Sequence, residues 1–231
     1  MFEISFIMKI CLLLFIIQCT ISNAKPVTDT SSTPSNHSNN WAVIASTSIF
    51  WHNYRHQANA LAIYHTVKNL GIPDSQIILM LPDDVACNPR NIFPGKVLQD
   101  RSQNRKGDYV NVYGDDVQVD YRGDQVTVQR FLQVLTGRHE DYVPSSKRLN
   151  TDERSNILIF LNGHGGEGFL KFRDTEEIDT NDLAGAFEEM HQKGRYNEIL
   201  LLVDTCHASS LNDALFSPNI VVRKEVYLFH S

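Results

Sequence analysis

Four short apolar runs constrain the fold of this chain more than any other feature of its sequence. They occupy residues 41–46, 76–81, 157–161 and 198–203. Each run has the length and unbroken apolar character of a strand that is buried on both faces. Apolar residues at helical spacing separate the runs, at 53–70, 126–136 and 179–191. Strands that alternate with helices predict an α/β fold, with a mostly parallel sheet flanked by helices on both faces.

Three connecting segments carry weaker patterns. Residues 87–107 contain prolines and charges without periodicity, which predicts a surface loop. The turn residues at 114–116 lie between the segments 111–113 and 117–121 and predict a β-hairpin. Residues 169–172 alternate in polarity, and we expect them to form a small hairpin with the acidic stretch that follows.

The first 24 residues have the pattern of a secretory signal peptide. An apolar run at 10–17 follows Lys9, and the small residues Ser22 and Ala24 suit a cleavage site. A transmembrane anchor is the alternative, but the run is too short to span about 30 Å of hydrocarbon. Residues 25–40 are rich in Ser, Thr and Asn and are predicted to be a disordered leader, in which Asn36 begins a glycosylation acceptor triplet.

Composition limits the remaining chain to an ordinary globular domain, which we place at residues 41–220. Hydrophobic residues make up 42% and charged residues 21% of the 231 residues. The formal net charge of −6 argues against a nucleic-acid partner, because phosphate binding requires a clustered Lys/Arg face.

Two of the four cysteines, Cys11 and Cys19, lie in the predicted signal peptide. Cys87 and Cys206 remain. In an oxidising compartment these two either join in one disulfide or act separately, as an intermolecular bond and a reactive thiol.

The most reactive side chains of the sequence follow two of the predicted strands. His164 and Cys206 each come three residues after an apolar run. Binding sites in open parallel sheets form beyond the carboxyl ends of strands. If the helix at 179–191 connects these two strands, the strands are neighbours and the two side chains lie close together. A neighbouring imidazolium lowers the pKa of a thiol and later protonates the leaving group, so the pair predicts nucleophilic attack on a carbonyl.

Backbone N–H groups beside this pair can stabilise the negative charge that such an attack places on the carbonyl oxygen. The N–H groups of Gly165 and Cys206 are candidates for an oxyanion hole. We also expect Cys206 to begin a helix, whose N-terminus favours an anion. The alternatives are that Cys206 is a small buried apolar residue and that His164 is a turn residue.

Motifs around both residues resemble those of a known clan. The segments FLNGHGG at 160–166 and LVDTC at 202–206 resemble the paired signature of the legumain, caspase and gingipain clan of cysteine peptidases. Within that clan, four further segments are similar to the catalytic subunits of GPI-anchor transamidases, namely 53–56, 84–91, 111–117 and 154–158. The resemblance covers about residues 41–220 and implies a caspase-like fold.

The resemblance implies an activity and a location. Cys206 would cleave the C-terminal signal of proproteins through a thioester and pass the acyl group to the ethanolamine amine of a GPI glycolipid. This chemistry would need no cofactor and would take place in the lumen of the endoplasmic reticulum, within a membrane-associated complex of transamidase subunits. Asn53 would orient His164, whereas its residue type alone also suits a helix N-cap.

Two further sites follow from the resemblance. Cys87 would form a disulfide with a luminal partner subunit; the alternative is an ordinary buried thiol. A structural calcium ion would be held by Asp74, Ile77, Gln118 and Asp120, although the family has Glu in place of Gln118. The alternative for these residues is a solvated acidic surface.

The sequence departs from the family at its end. After Ile220 the family continues through further strands, whereas residues 221–231 form a divergent tail, so the fold is expected to lack the C-terminal strands of the family. His207 and Ala208 replace a Gln and a Gly, which predicts a different turn after the nucleophile. A legumain-like asparaginyl endopeptidase and a non-catalytic, partner-binding subunit are therefore alternative functions.

Overall fold

The structure is a computed structural model, and it describes residues 39–100 and 109–224. The predicted signal peptide, the glycosylation triplet at Asn36 and most of the predicted leader lie outside the described residues. So do residues 225–231 of the tail.

The described residues form a parallel sheet with helices on both faces. The strands are β1 (Asn39–Ser46), β2 (Ile77–Leu81), β3 (Leu98–Asp100), β4 (Tyr109–Asn111), β5 (Tyr121–Arg122), β6 (Ser155–Asn162), β7 (Gly165–Gly166), β8 (Phe169–Phe172), β9 (Glu176–Asp179), β10 (Glu198–Asp204) and β11 (Ile220–Lys224). The α-helices are α1 (Tyr54–Asn69), α2 (Val128–Thr136) and α3 (Thr180–Gln192). The central sheet has the order β11-β10-β6-β1-β2-β5, and all its pairings are parallel.

Alternate residues of the central strands enter two separate apolar layers. In β1, Val43 packs in the layer that contains α2 and α3, and Ile44 packs in the layer that contains α1. Both side chains are fully buried. A strand covered on both faces needs apolar residues at every position, which is why the four runs are unbroken. The predicted α/β architecture is confirmed.

Local signals fix where the flanking helices begin and end. The Thr127 side chain accepts the N–H of Arg130 at the start of α2, and Gly137 ends this helix with a left-handed φ of 70°. At the start of α3, the Asp179 carboxylate accepts the N–H groups of Asn181 and Asp182. Helix α3 connects β6 to β10, which are neighbours in the sheet, as the sequence predicted.

The hairpin predicted around residues 114–116 is wrong. β4 instead pairs with β3, and β5 joins the edge of β2 in parallel. The Asp120 N–H donates to the Leu79 carbonyl and its carboxylate accepts the Leu79 N–H, both at 2.9 Å. Val117 and Val119 also pack against the apolar layer. These tertiary contacts hold the segment on the sheet, so it does not fold back on itself.

The remaining predictions concern a loop, a second hairpin and the end of the domain. Of the predicted loop at 87–107, residues 87–100 are described, and they include the strand β3, while β8 and β9 form the expected hairpin. β11 pairs with β10 and runs across residue 220, where the sequence placed the end of the domain.

Candidate active site

The sheet brings His164 and Cys206 to one edge. Asn162 at the end of β6 pairs with Asp204 at the end of β10, and the Gly163 N–H continues the ladder to the Asp204 carbonyl at 3.2 Å. His164 and Cys206 each stand two residues beyond this pair of positions. Since neighbouring strands lie about 4.8 Å apart, both residues emerge side by side at the carboxyl edge of the sheet.

Close packing of the two loops requires glycine beside the histidine. A Cβ atom on Gly165 would lie 2.5 Å from Thr205 Oγ1 and 2.7 Å from the Phe169 carbonyl oxygen. The loop after His164 therefore contacts the residue that precedes Cys206. Gly165 also pairs with Leu170, which ties this loop into the small β7–β8–β9 sheet.

Asn53 lies within hydrogen-bond distance of the histidine. Its Oδ1 is 2.8 Å from His164 Nε2, and its Nδ2 donates to the Ile49 carbonyl at 2.7 Å. An amide oxygen only accepts, so Nε2 carries the proton and Nδ1 is left as an acceptor when the ring is neutral. Asn53 stands at the N-cap position of α1, but its side chain makes no capping hydrogen bond.

The surroundings of His164 favour the neutral ring. Burial is the main cause that lowers its pKa. Arg55, His52 and Lys171 lower it further, and Asp174 opposes them. A neutral imidazole accepts a proton from a thiol, so this site suits general-base catalysis better than a thiolate–imidazolium pair that exists before the substrate binds.

Cys206 occupies an exposed turn. The expectation that it begins a helix is wrong, because residues 205–209 form a bend and turns, and a short 3₁₀ segment follows at Ser210–Asn212. His207 adopts a left-handed φ of 54°, which is incompatible with a right-handed helix at this point. The Cys206 side chain is free and exposed, so it is not the buried apolar residue of the alternative interpretation.

One residue that contacts the site was not singled out in the sequence. His56 is buried, and its ring centroid lies 5.0 Å from that of His164 in an edge-to-face arrangement. Its Nδ1 is 2.7 Å from Ser48 Oγ. The available signal was its spacing, since His56 follows Asn53 by three residues and therefore lies on the same face of the helix.

A half-buried carboxylate was missed as well. Asp204 accepts hydrogen bonds from Asn162 Nδ2 at 2.6 Å and from Asn59 Nδ2 at 3.3 Å. Burial raises the pKa of Asp204, and both hydrogen bonds oppose that shift. This cluster joins the ends of β6 and β10 to α1, two residues before His164 and Cys206 in the chain.

Cys87 is also free and exposed, which contradicts the alternative of a buried thiol. It closes a 3₁₀ turn, Val85–Cys87, whose N-terminal Asp84 side chain accepts the Cys87 N–H at 3.2 Å. The Asp84 carboxylate raises the pKa of the Cys87 thiol.

The carboxylates suggested for calcium already contact other groups of the protein. The Lys68 ammonium lies 3.0 Å from the Asp74 carboxylate and supplies a positive charge there. Burial raises the pKa of Asp120 to about 6, and the charge of Asp74 adds to this shift. Within residues 39–100 and 109–224, no three or more His, Cys, Asp or Glu side chains are grouped as metal ligands. A calcium ion would thus depend on oxygens of Ile77 and Gln118, and the site stays a prediction.

The chain is similar to proteins of known name. It is 53% identical over 210 residues to the GPI-anchor transamidase of Saccharomyces cerevisiae, which covers 91% of this chain and 50% of the yeast protein. It is 58% identical over 187 residues to the GPI-anchor transamidase of Homo sapiens, covering 81% of this chain and 46% of the human protein. The chain thus spans about half the length of these curated relatives.

None of the helices in the described part of the chain has both the length and the apolar character to cross a membrane.

The family assignment agrees with the site. Residues 40–223 match the Peptidase C13 family, and this range includes both strand ends and α1. A cysteine and a histidine at neighbouring strand ends fit a cysteine-peptidase-like enzyme. The chain therefore belongs to the Peptidase C13 family.

Proposed function

We propose that this chain is the catalytic subunit of a GPI-anchor transamidase. The observation that carries the proposal is the hydrogen bond between Asn53 and His164 beside the exposed Cys206, in a chain 53–58% identical to proteins with that name. Cys206 is the nucleophile, His164 is the general base and acid, and Asn53 holds His164 in one tautomer.

The first half-reaction cleaves the proprotein. His164 Nδ1 accepts the thiol proton while the Cys206 sulfur attacks the carbonyl carbon at the cleavage site. The N–H groups of Gly165 and Cys206 stabilise the oxyanion. The carbon–nitrogen bond then breaks, and the His164 imidazolium protonates the departing amine of the C-terminal signal. A thioester on Cys206 remains.

The second half-reaction transfers the acyl group. Neutral His164 accepts a proton from the ethanolamine amine of the GPI glycolipid as that amine attacks the thioester carbonyl. The carbon–sulfur bond breaks, the new amide leaves, and the Cys206 thiolate takes up the proton from His164. Both halves use the same oxyanion hole and the same imidazole.

Location and partners belong to the same proposal. Residues 1–24 direct the chain to the lumen of the endoplasmic reticulum and are removed there, and other transamidase subunits attach it to the membrane. Cys87 forms an intermolecular disulfide with one of them. The exposure of this thiol supports the proposal. Non-reducing electrophoresis of the native assembly should show a heterodimer that disappears with Cys87→Ser, and a heterodimer that persists in this variant contradicts it.

The calcium ion is proposed as a structural element only. Titration calorimetry with calcium should give a binding heat that is lost in Asp120→Asn. Absence of heat in the unmodified protein would remove the ion from the proposal, and no catalytic step depends on it.

Complementation of a transamidase-deficient cell tests the function. The unmodified chain should restore GPI-anchored proteins at the surface, and Cys206→Ala should not, although it accumulates to the same level. Peptide hydrolysis without rescue would favour a legumain-like asparaginyl endopeptidase. The absence of both rescue and peptide hydrolysis would favour a partner-binding subunit that is not catalytic.

A further inference from the structure

The ring of His164 has a second neighbour besides Asn53. The planes of His56 and His164 meet at 73° with their centroids 5.0 Å apart, which is a favourable edge-to-face geometry. His56 is 7% exposed, so this contact is shielded from water.

His56 is itself held in place. Its Nδ1 lies 2.7 Å from the hydroxyl of Ser48, which is 3% exposed. Ser48 belongs to the segment that follows β1, and His56 belongs to the first turn of α1. A buried ring with this hydrogen bond has little freedom to change rotamer, so it can serve as a fixed surface for its neighbour.

The two contacts of His164 restrict different motions. The hydrogen bond to Asn53 Oδ1 fixes the position of Nε2 but leaves the ring able to turn about the N–H···O axis. Contact with the His56 ring opposes that turn. Both constraints come from the same end of α1, since Asn53 directly precedes the helix and His56 follows three residues later.

Charge makes His56 a suitable neighbour for a residue that becomes an imidazolium. The charged and titratable groups that face His56 are Arg55, His52 and His164, and those that face His164 are Arg55, His52, Lys171 and Asp174. Burial is the main cause that lowers the pKa of His56 to about 3, and Arg55, His164 and His52 lower it further. His56 is therefore neutral at neutral pH, and it adds no repulsion when His164 gains a proton.

We propose that His56 is a positioning residue for His164, which sets the rotation of the ring so that Nδ1 is directed to Cys206. The inference rests on the proposed function only because that function assigns His164 as the general base. The effect of His56 on the titration of His164 is measurable without any transamidation.

Two variants separate positioning from simple support of the fold. His56→Ala removes the ring and admits water, which should raise the pKa of His164, because burial is what lowers it. His56→Phe keeps a ring of similar size and should leave His164 near its original behaviour. His65→Ala is the matched control, since it removes another histidine of α1 with its own hydrogen bond, to the Val112 carbonyl at 3.0 Å.

The readouts are the NMR titration of His164 and the pH profile of Cys206 alkylation, both in the full-length protein. His56→Ala should move both profiles to higher pH, because the pKa of His164 rises. It should also lower the alkylation rate at pH 7 about tenfold, because Nδ1 is no longer held toward Cys206. His56→Phe and His65→Ala should stay near the original curves. Unchanged profiles in a folded His56→Ala protein would overturn the proposal.

A second variant covers the case in which His56→Ala does not fold. Ser48→Ala frees the His56 ring without removing it and should move the His164 titration in the same direction by a smaller amount. A Ser48→Ala protein with an unchanged titration would overturn the proposal. If the His164 titration shifts in these variants but the unmodified chain fails the complementation test, the transamidase function is contradicted and the positioning role stands.

Discussion

The two loops that carry the reactive side chains are built differently, although they leave neighbouring strands. The loop after β6 is fixed around His164, through the Asn53 hydrogen bond, the His56 ring and the pairing of Gly165 with β8. The turn after β10 leaves Cys206 exposed. This difference indicates that the His164 ring is held in one orientation, whereas the Cys206 thiol remains accessible from solvent.

Replacement of the nucleophile should give the largest effect on activity and the smallest on stability. Cys206→Ala should reduce acyl transfer by about 10⁴-fold or more, because it removes the sulfur that forms the thioester. The exposed side chain contributes little packing, so the melting temperature should change by no more than about 1 °C. A Cys206→Ala protein that is clearly destabilised would show that the turn depends on its cysteine and would break the contrast between the two loops.

Loss of the amide partner should disturb the other loop more selectively. Asn53→Ala should lower the transfer rate by about 10- to 100-fold, because the tautomer and direction of the His164 ring are no longer fixed. Asn53→Asp restores an acceptor and should recover part of the rate, with an optimum at higher pH, because a carboxylate raises the pKa of the imidazole. Equal rates for the unmodified protein and Asn53→Ala would show that the histidine loop is not organised through this bond.

The contact between the two loops can be tested through glycine. Gly165→Ala places a methyl group 2.5 Å from Thr205 Oγ1 and should destabilise the fold by about 1–3 kcal/mol. Gly185→Ala is the matched control in α3, where nothing lies within 4 Å of the new Cβ. This control should stabilise the protein by about 0.5–1 kcal/mol. Denaturant unfolding measures both, and a Gly165→Ala protein as stable as the control would mean that the loops do not touch.

Lowering the pH should reduce the stability of the fold through His56. The pKa of His56 is about 3 in the folded protein, below its usual value of 6.5, so the unfolded chain binds more protons between these limits. The contribution of His56 to the free energy of unfolding is present above about pH 6.5 and is lost as the pH falls. Between pH 6.5 and pH 5.5 the loss should be about 1 kcal/mol. His56→Phe should flatten this part of the pH–stability curve, and parallel curves for the two proteins would contradict the burial of a neutral imidazole.

Most of the fold could be predicted from the sequence because the strands are buried on both faces. Unbroken apolar runs such as 157–161 need no tertiary information to be recognised, and capping residues such as Thr127 and Asp179 mark the helix starts. The hairpin at 114–116 failed because the pairing of β5 with β2 depends on a long-range contact between Asp120 and Leu79.

The site was predictable only as far as strand ends determine it. His164 and Cys206 follow directly from chain connectivity. The buried state of His56 and the bonds of Asp204 to Asn162 and Asn59 depend on how α1 packs against the sheet. The turn at Cys206 resembled a helix start in the sequence, and only the left-handed backbone of His207 shows why no helix begins there.

The rate of Cys206 alkylation at pH 7 tests the pairing of thiol and imidazole most directly. Mass spectrometry of the modified peptides gives this rate in the chain purified without partner subunits, where Cys87 is also a free, exposed thiol and serves as the reference. If His164 accepts the thiol proton, His164→Ala should slow the modification of Cys206 about tenfold or more relative to Cys87. An unchanged ratio would show that the two groups do not act together.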